Sequence, residues 1–195
     1  MEGPLTGIRV LDLGMAAVGP IAAEYLGELG ADVIKVESPA GDIVRRGKPT
    51  KKGMSHTFLG NNLTKRGIVL DLKNPADRET ALRLAATVDV LMENFRSPEV
   101  LERLGLGYAK LSAINPRLIY LQSSAYGPRG PLHGMTSNDW IAQASGGVTS
   151  VNGAPGGRPE FSRGTSAMDW HGAFVNLQAI LIALFVRERT GRGLM

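Results

Sequence analysis

Asp169, three residues after a serine and at the head of a long apolar run, is the acid best placed for covalent chemistry. It closes Ser166-Ala-Met-Asp169 and opens a stretch that reads as a helix to about Arg189. Two readings stay open. As the last member of a capping-box pattern, Asp169 would stabilise the helix start. As a carboxylate after a glycine-containing approach, kept ionised by the helix dipole, it would act as nucleophile or base. Other nucleophile systems are missing or incomplete. The chain has no cysteine, which excludes disulfides, thiolate metal sites and a cysteine nucleophile. The G-x-S-x-G elbow of serine hydrolases is absent. His56, His133 and His171 lie far apart without metal-ligand spacing, so no metal is expected. His171, two residues from Asp169, would point elsewhere on a helix.

The elements that would position such an acid begin with Ile8 to Leu13 as a strand, Gly19 to Leu29 as a helix and Ala31 to Glu37 as a second strand. The turn between the first two, Gly14-Met-Ala-Ala-Val-Gly19-Pro20, lacks the G-x-G-x-x-G spacing that lets a pyrophosphate approach the backbone. Glu37 stands where a ribose-binding acid would, but without those glycines it does not make a nicotinamide site. A Rossmann-like sheet holding something other than a dinucleotide is expected.

Alternation continues downstream. Residues 38–64 read as a long loop, Gly67 to Leu72 as a strand, and Pro75 to about Thr87 as a helix capped by Asn74. Asp89 to Glu93 is a strand, Pro98 to Leu104 and Tyr108 to Ile114 are short helices, and Leu118 to Ser123 is a further strand. Apolar runs in a β-α-β order predict an α/β fold, a parallel sheet with helices on both faces. Ligand contacts are then expected at strand carboxyl ends: Met15 to Val18, Lys73, Asn94 to Arg96, and Ser124 to Tyr126. The run from Ala173 to Val186 is interrupted by Asn176 and Gln178, so it predicts a buried core helix rather than a membrane span.

The 195 residues suit one domain, 1–195, with 43% hydrophobic and 21% charged residues. No signal-peptide pattern opens the chain, and a cytoplasmic protein off the membrane is expected. Net charge is +4, yet eight basic residues between Arg45 and Lys73 face only Asp71. Such a segment suits water, a phosphorylated ligand or nucleic acid. The lack of interleaved aromatics argues against nucleic acid.

A series of short segments then carries a resemblance. Leu26-Gly-Glu-Leu-Gly-Ala-Asp-Val-Ile-Lys-Val-Glu37 with Gly41-Asp42 is followed by Asn62-Leu-Thr-Lys-Arg-Gly-Ile-Val-Leu-Asp-Leu-Lys73 and Asp89-Val-Leu-Met-Glu-Asn-Phe-Arg96. Leu104-Gly-Leu-Gly-Tyr108, Asn115-Pro-Arg-Leu-Ile-Tyr120 and Tyr126-Gly-Pro complete it. In this order, from about Leu5 to Gly193, the chain resembles the N-terminal half of class III (CaiB/BaiF-type) CoA-transferases. The resemblance implies the large-domain portion of that fold, with coenzyme A or acyl-CoA as substrate and a carboxylic acid as acceptor. It places the nucleophile on Asp169, working through an aspartyl anhydride and an aspartyl-CoA thioester. It places CoA along Ala17, Val18, Leu70, Leu72, Lys73, Asn94, Phe95, Arg96 and Arg103.

The same resemblance reaches α-methylacyl-CoA racemases, where a histidine precedes the aspartate of a segment matching Asn138-Asp139-Trp140. Here Asn138 cannot serve as that base. Members that transfer formyl groups to oxalate carry glutamine where this chain has Ala17, so oxalate is not implied. Family members are about twice this length. Their second half supplies a small domain, a glycine-rich loop over the site and a segment that interlinks two subunits. A homodimer or a complementary C-terminal half is therefore the expected partner. The variable stretch Ser145 to Arg163 is expected to contribute to acyl selection.

Overall fold

The computed structural model describes residues 3–97, 99–162, 164 and 166–195; Pro98 and Arg163, at the ends of two segments named above, lie outside them. β1 (Arg9–Asp12), α1 (Val18–Glu28) and β2 (Asp32–Glu37) come first. A ribbon of β3 (Thr50–Lys51) and β4 (Met54–Ser55) precedes α2 (His56–Gly60). β5 (Arg66–Val69), α3 (Pro75–Ala85), β6 (Val90–Glu93), α4 (Glu99–Arg103), α5 (Tyr108–Ile114) and β7 (Ile119–Gln122) follow. The last third is helical: α6 (Asp139–Ser145), α7 (Val148–Val151) and α8 (Ala167–Thr190).

Five strands pair in the order β5-β2-β1-β6-β7, each neighbouring pair parallel. The strand order reverses between β1 and β6, the position where open α/β sheets leave a ligand crevice. Apolar strands explain the layers. Val10, Val33, Val90 and Met92 pack under α1 and α8 beside Ile21, Leu26 and Ile180. Leu11, Ile34, Leu91 and Tyr120 face the other way, toward Ala81, Leu101 and Leu111 of α3, α4 and α5. Burial of each such large side chain contributes about 1.5–3 kcal/mol, which makes both faces necessary to the sheet.

Two expectations are corrected. Residues 38–64 are not a loop throughout. Asp42 caps a 3-10 turn over Ile43–Arg46, accepting from the Val44 N–H at 3.1 Å. Ser55 caps α2 by accepting from the Phe58 N–H at 2.9 Å. Arg45 lies 3.8 Å over the Phe58 ring, so the segment has its own small core. Nor is α8 buried all round. Ala173, Asn176, Ile180, Leu184 and Arg187 form one covered stripe at helical spacing, while Val175, Ile182 and Phe185 stay half or more exposed. By length and composition α8 could cross a membrane. In this fold its covered stripe is docked on α1 and the sheet, with Arg187 bonded to Asp89 at 2.9 Å and Asn176 to Ser123 at 2.9 Å. Gly191, at φ 72°, closes the helix in the left-handed conformation that glycine adopts without strain.

Candidate active site

Two cavities open at the carboxyl ends of the strands, next to the turn that joins β1 to α1. The first, about 270 Å³, has apolar walls from Leu13, Val36, Leu70, Leu72, Phe95 and Leu104, with Lys73 also in its lining. The second, about 260 Å³, is polar: Asn94, Ser123, Ser124, Ser137, Asn138 and Asp169 line it, with Val18 and Gly172. A side-chain clamp divides them. Asn94 accepts from the Met15 N–H and donates to the Met15 carbonyl, both at 2.8 Å. Met15 belongs to the first cavity and Asn94 to the second.

The residues singled out in the sequence divide accordingly. Leu70, Leu72, Lys73 and Phe95 meet in the first cavity, and Val18, Asn94 and Asp169 in the second. Leu70 and Leu72 lie just past the end of β5, where the chain turns toward α3. Three others line neither cavity. Ala17 packs against the α1 side of the core. Arg96 is exposed beyond β6. Arg103 is exposed, and its Nε donates to the Glu99 carbonyl of its own helix at 3.1 Å. Of the eight basic residues from Arg45 to Lys73, Arg45 pairs with Glu37, Lys65 with Asp12 and Arg66 with Asp32. Lys73 is exposed and the one of the eight in a cavity wall described here.

Asp169 sits in the first turn of α8, but the capping-box reading is corrected. Ser166 makes no side-chain cap bond. Asp139, 30 residues earlier and buried, supplies the cap instead: its Oδ1 accepts from the Met168 N–H at 2.6 Å and from the Asp169 N–H at 3.2 Å. Its Oδ2 accepts from Gln143 at 2.6 Å, and Gln143 in turn accepts from the Ser162 N–H at 2.8 Å. The helix amides expected to keep Asp169 ionised are therefore already taken. Burial first, then the like charge of Asp139, raise the Asp169 carboxyl above the ordinary aspartate value. This is a half-buried carboxylate made more basic and hence a stronger nucleophile once ionised.

Sequence reasoning did not assign Ser123, Ser137 or the role of Asp139. A signal for the last existed: Asn138 followed by Asp139 is a helix N-terminus pattern, and the Asn138 Oδ1 does cap α6 by accepting from the Ile141 N–H at 3.0 Å. Glu93 also went unassigned. It ends β6 with 1% exposure, one oxygen accepting from the Phe95 N–H at 2.6 Å and the other without a partner. Burial pushes its carboxyl up to about 7.

A parallel sheet reversing its strand order beside paired cavities, with a half-buried acid at a helix start, is a Rossmann-like α/β fold. The particular family follows from comparison. The sequence profile described as CoA-transferase family III matches residues 5–195, and the chain belongs to that family. It is 43% identical to the succinyl-CoA–L-malate CoA-transferase beta subunit of Chloroflexus aurantiacus, covering 97% of this chain and 47% of the relative. It is 42% identical to the acetyl-CoA:oxalate CoA-transferase of Acetobacter aceti, covering 98% and 49%. A CaiB/BaiF family protein from Brucella suis superposes with a TM-score of 0.95 at 37% identity, covering all of this chain and 52% of that one. The chain thus spans about half the length of the curated relatives it matches.

Proposed function

We propose that residues 1–195 form the CoA-binding domain of a CoA-transferase in which Asp169 is the nucleophile. The observation that carries this is the position of Asp169 in a polar cavity, one side-chain clamp away from an apolar cavity built by Leu70, Leu72 and Phe95. The nucleotide end of an acyl-CoA occupies the first cavity, with Lys73 near its phosphates. The thioester end passes Met15 and reaches Asp169.

The Asp169 carboxylate attacks the thioester carbonyl, the C–S bond breaks, and an aspartyl mixed anhydride and CoA thiolate result. The thiolate attacks the aspartyl carbonyl, releasing the donor acid and leaving an aspartyl-CoA thioester. The acceptor carboxylate then displaces the thiolate to give a second anhydride. Attack of the thiolate on the acceptor acyl carbon forms the new acyl-CoA and restores the Asp169 carboxylate. Charge is conserved at each step and no oxidant enters. Ser124 and the Asn138 side-chain NH2 offer neutral donors to the developing oxyanions.

A racemase reading has no support at Asn138, whose oxygen is engaged in capping α6. A partner is part of the proposal. The relatives' greater length and the exposed apolar side of α8 support either a second copy or a complementary half over this face. The proposed setting is the cytoplasm, in keeping with a chain without cysteine. Incubation of the intact protein with a panel of acyl-CoAs, hydroxylamine trapping and mass spectrometry test the reading. A hydroxamate on Asp169 that the Asp169→Ala variant lacks supports it. Saturable CoA binding without any adduct favours the alternative, a CoA-holding half without catalysis of its own, and no adduct even with the complementary half supplied refutes the nucleophile assignment.

A further inference from the structure

The turn between β1 and α1 is held at every backbone polar group from Gly14 through Ala16, and each partner is a side chain. The Gly14 N–H donates to Asp12 at 2.8 Å, and the Gly14 carbonyl accepts from the Lys35 ammonium at 2.9 Å. Asn94 takes both groups of Met15. The Ala16 N–H donates to both oxygens of Asp42, at 3.2 and 3.3 Å, and the Ala16 carbonyl accepts from Asn61 at 3.1 Å. Ala16 itself is left-handed, with φ 67°, a conformation that costs a non-glycine residue about 1–2 kcal/mol. A strained residue persists only where its surroundings over-determine it.

Lys35 is the hub of this arrangement. It is 2% exposed, 3.0 Å from Asp42 and 4.0 Å from Asp12, and Asp12 is further neutralised by Lys65 at 2.8 Å. Buried ion pairs of this kind contribute little net stability compared with apolar packing, so their return is sought in geometry. The geometry at stake is evident. Gly14 and Met15 form a wall of the first cavity, and Val18 begins α1 in the wall of the second. We propose that Lys35 is a positioning residue for the transfer reaction: through Asp12, Asp42 and the Gly14 carbonyl it holds the turn that sets the two cavities in register. It touches no substrate. This inference rests on the transferase reading for its kinetic consequence, but the clamp itself does not.

Lys35→Met alone would leave Asp42 buried without its cation, so the variant of choice is Lys35→Met with Asp42→Asn. That pair removes both charges and keeps an acceptor for the Ala16 N–H. Asn61→Ala releases the turn from the opposite side and covers the case in which the double variant does not fold. Two quantities are read in the intact protein: amide hydrogen exchange at Gly14, Met15 and Ala16, and the steady-state constants for acyl-CoA alongside the rate of Asp169 acylation. The expected result is at least about tenfold faster exchange at these amides with β1 unchanged. Acylation and kcat should fall about 100-fold, as a displacement near 1 Å would cause, with a smaller rise in KM for acyl-CoA, because Gly14, Met15 and Asp42 line the first cavity while its Leu70, Leu72 and Phe95 walls stay in place. Unchanged exchange would overturn the clamp. Faster exchange with unchanged acylation would make the network merely structural. If the unsubstituted protein is never acylated, the transferase reading fails, and the clamp is judged by exchange alone.

Discussion

Replacing Glu93 by glutamine should stabilise the fold above pH 7 and leave it nearly unchanged below pH 4.5. In the unfolded chain this carboxyl ionises near 4.5, whereas burial at the end of β6 holds its proton to about 7. Between those values the folded state binds one more proton than the unfolded state, so stability falls as pH rises, by about 1.4 kcal/mol per pH unit, and then levels off. Across the window from 4.5 to about 7 this amounts to about 3 kcal/mol at most. Glutamine removes that penalty and fits the site. Its oxygen can keep the Phe95 N–H bond, and its NH2 lies where the second carboxylate oxygen has no partner. Gln122, the register partner on β7, has an unpartnered Nε2 of its own. The protonated carboxyl leaves its own O–H equally without an acceptor there, so the glutamine NH2 adds little penalty relative to it. Urea denaturation of both proteins at several pH values between 4.5 and 8 measures the effect. The variant's advantage should open from near zero to about 2–3 kcal/mol across that range. A difference that does not vary with pH, or a less stable variant at pH 8, would refute the reasoning.

Asp169→Asn should raise the melting temperature at neutral pH while abolishing acylation. A half-buried acid with a raised pKa costs stability once it is ionised, and the gain should vanish as pH falls toward the ordinary aspartate value. Asp139→Asn removes the like charge, so the acid limb of the acylation rate should move to lower pH; a limb that stays or rises would contradict the assignment. The same variant should lose about 1–3 kcal/mol in urea titration, because an amide NH2 then faces that of Gln143. Arg187→Met should cost about 2–3 kcal/mol by the same assay, since it leaves Asp89 with only the Arg9 N–H where an ion pair had been. Gly14→Ala places a methyl 2.7 Å from an Asp12 oxygen and 3.0 Å from Pro20, so a loss of about 1–3 kcal/mol and slower acylation are expected.

Much of the scaffold was legible because its signals are local. Apolar runs of strand length, Asn74 before Pro75 and Gly191 after the last helix mark elements through short-range sterics and capping, and the structure has those elements. The errors share a cause. Asp42 and Ser55 are ordinary cap residues, yet residues 38–64 looked like loop because the small core of Phe58 under Arg45 assembles only in three dimensions. Ser166 stands at the right spacing to cap α8, but a buried Asp139 from α6 reaches the same amides and excludes it.

The sequence by itself indicated the α/β class and the order of the five sheet strands with α1, α3, α4, α5 and α8; Lys73, Asn94 and Phe95 came from strand ends, Asp169 from its helix start, and Leu70 and Leu72 from the family resemblance. These rest on hydrophobic period, capping chemistry and residue order along the chain. Tertiary structure alone decided that Asp169 shares a cavity with Ser124 and Asn138, that its carboxyl is raised by burial and by Asp139, and that five side chains hold Gly14 to Ala16. Desolvation and long-range hydrogen bonds depend on which distant segments meet, and partners 21 to 79 residues apart, as Lys35, Asp42, Asn61 and Asn94 are from the groups they bind, leave no periodic trace in a sequence.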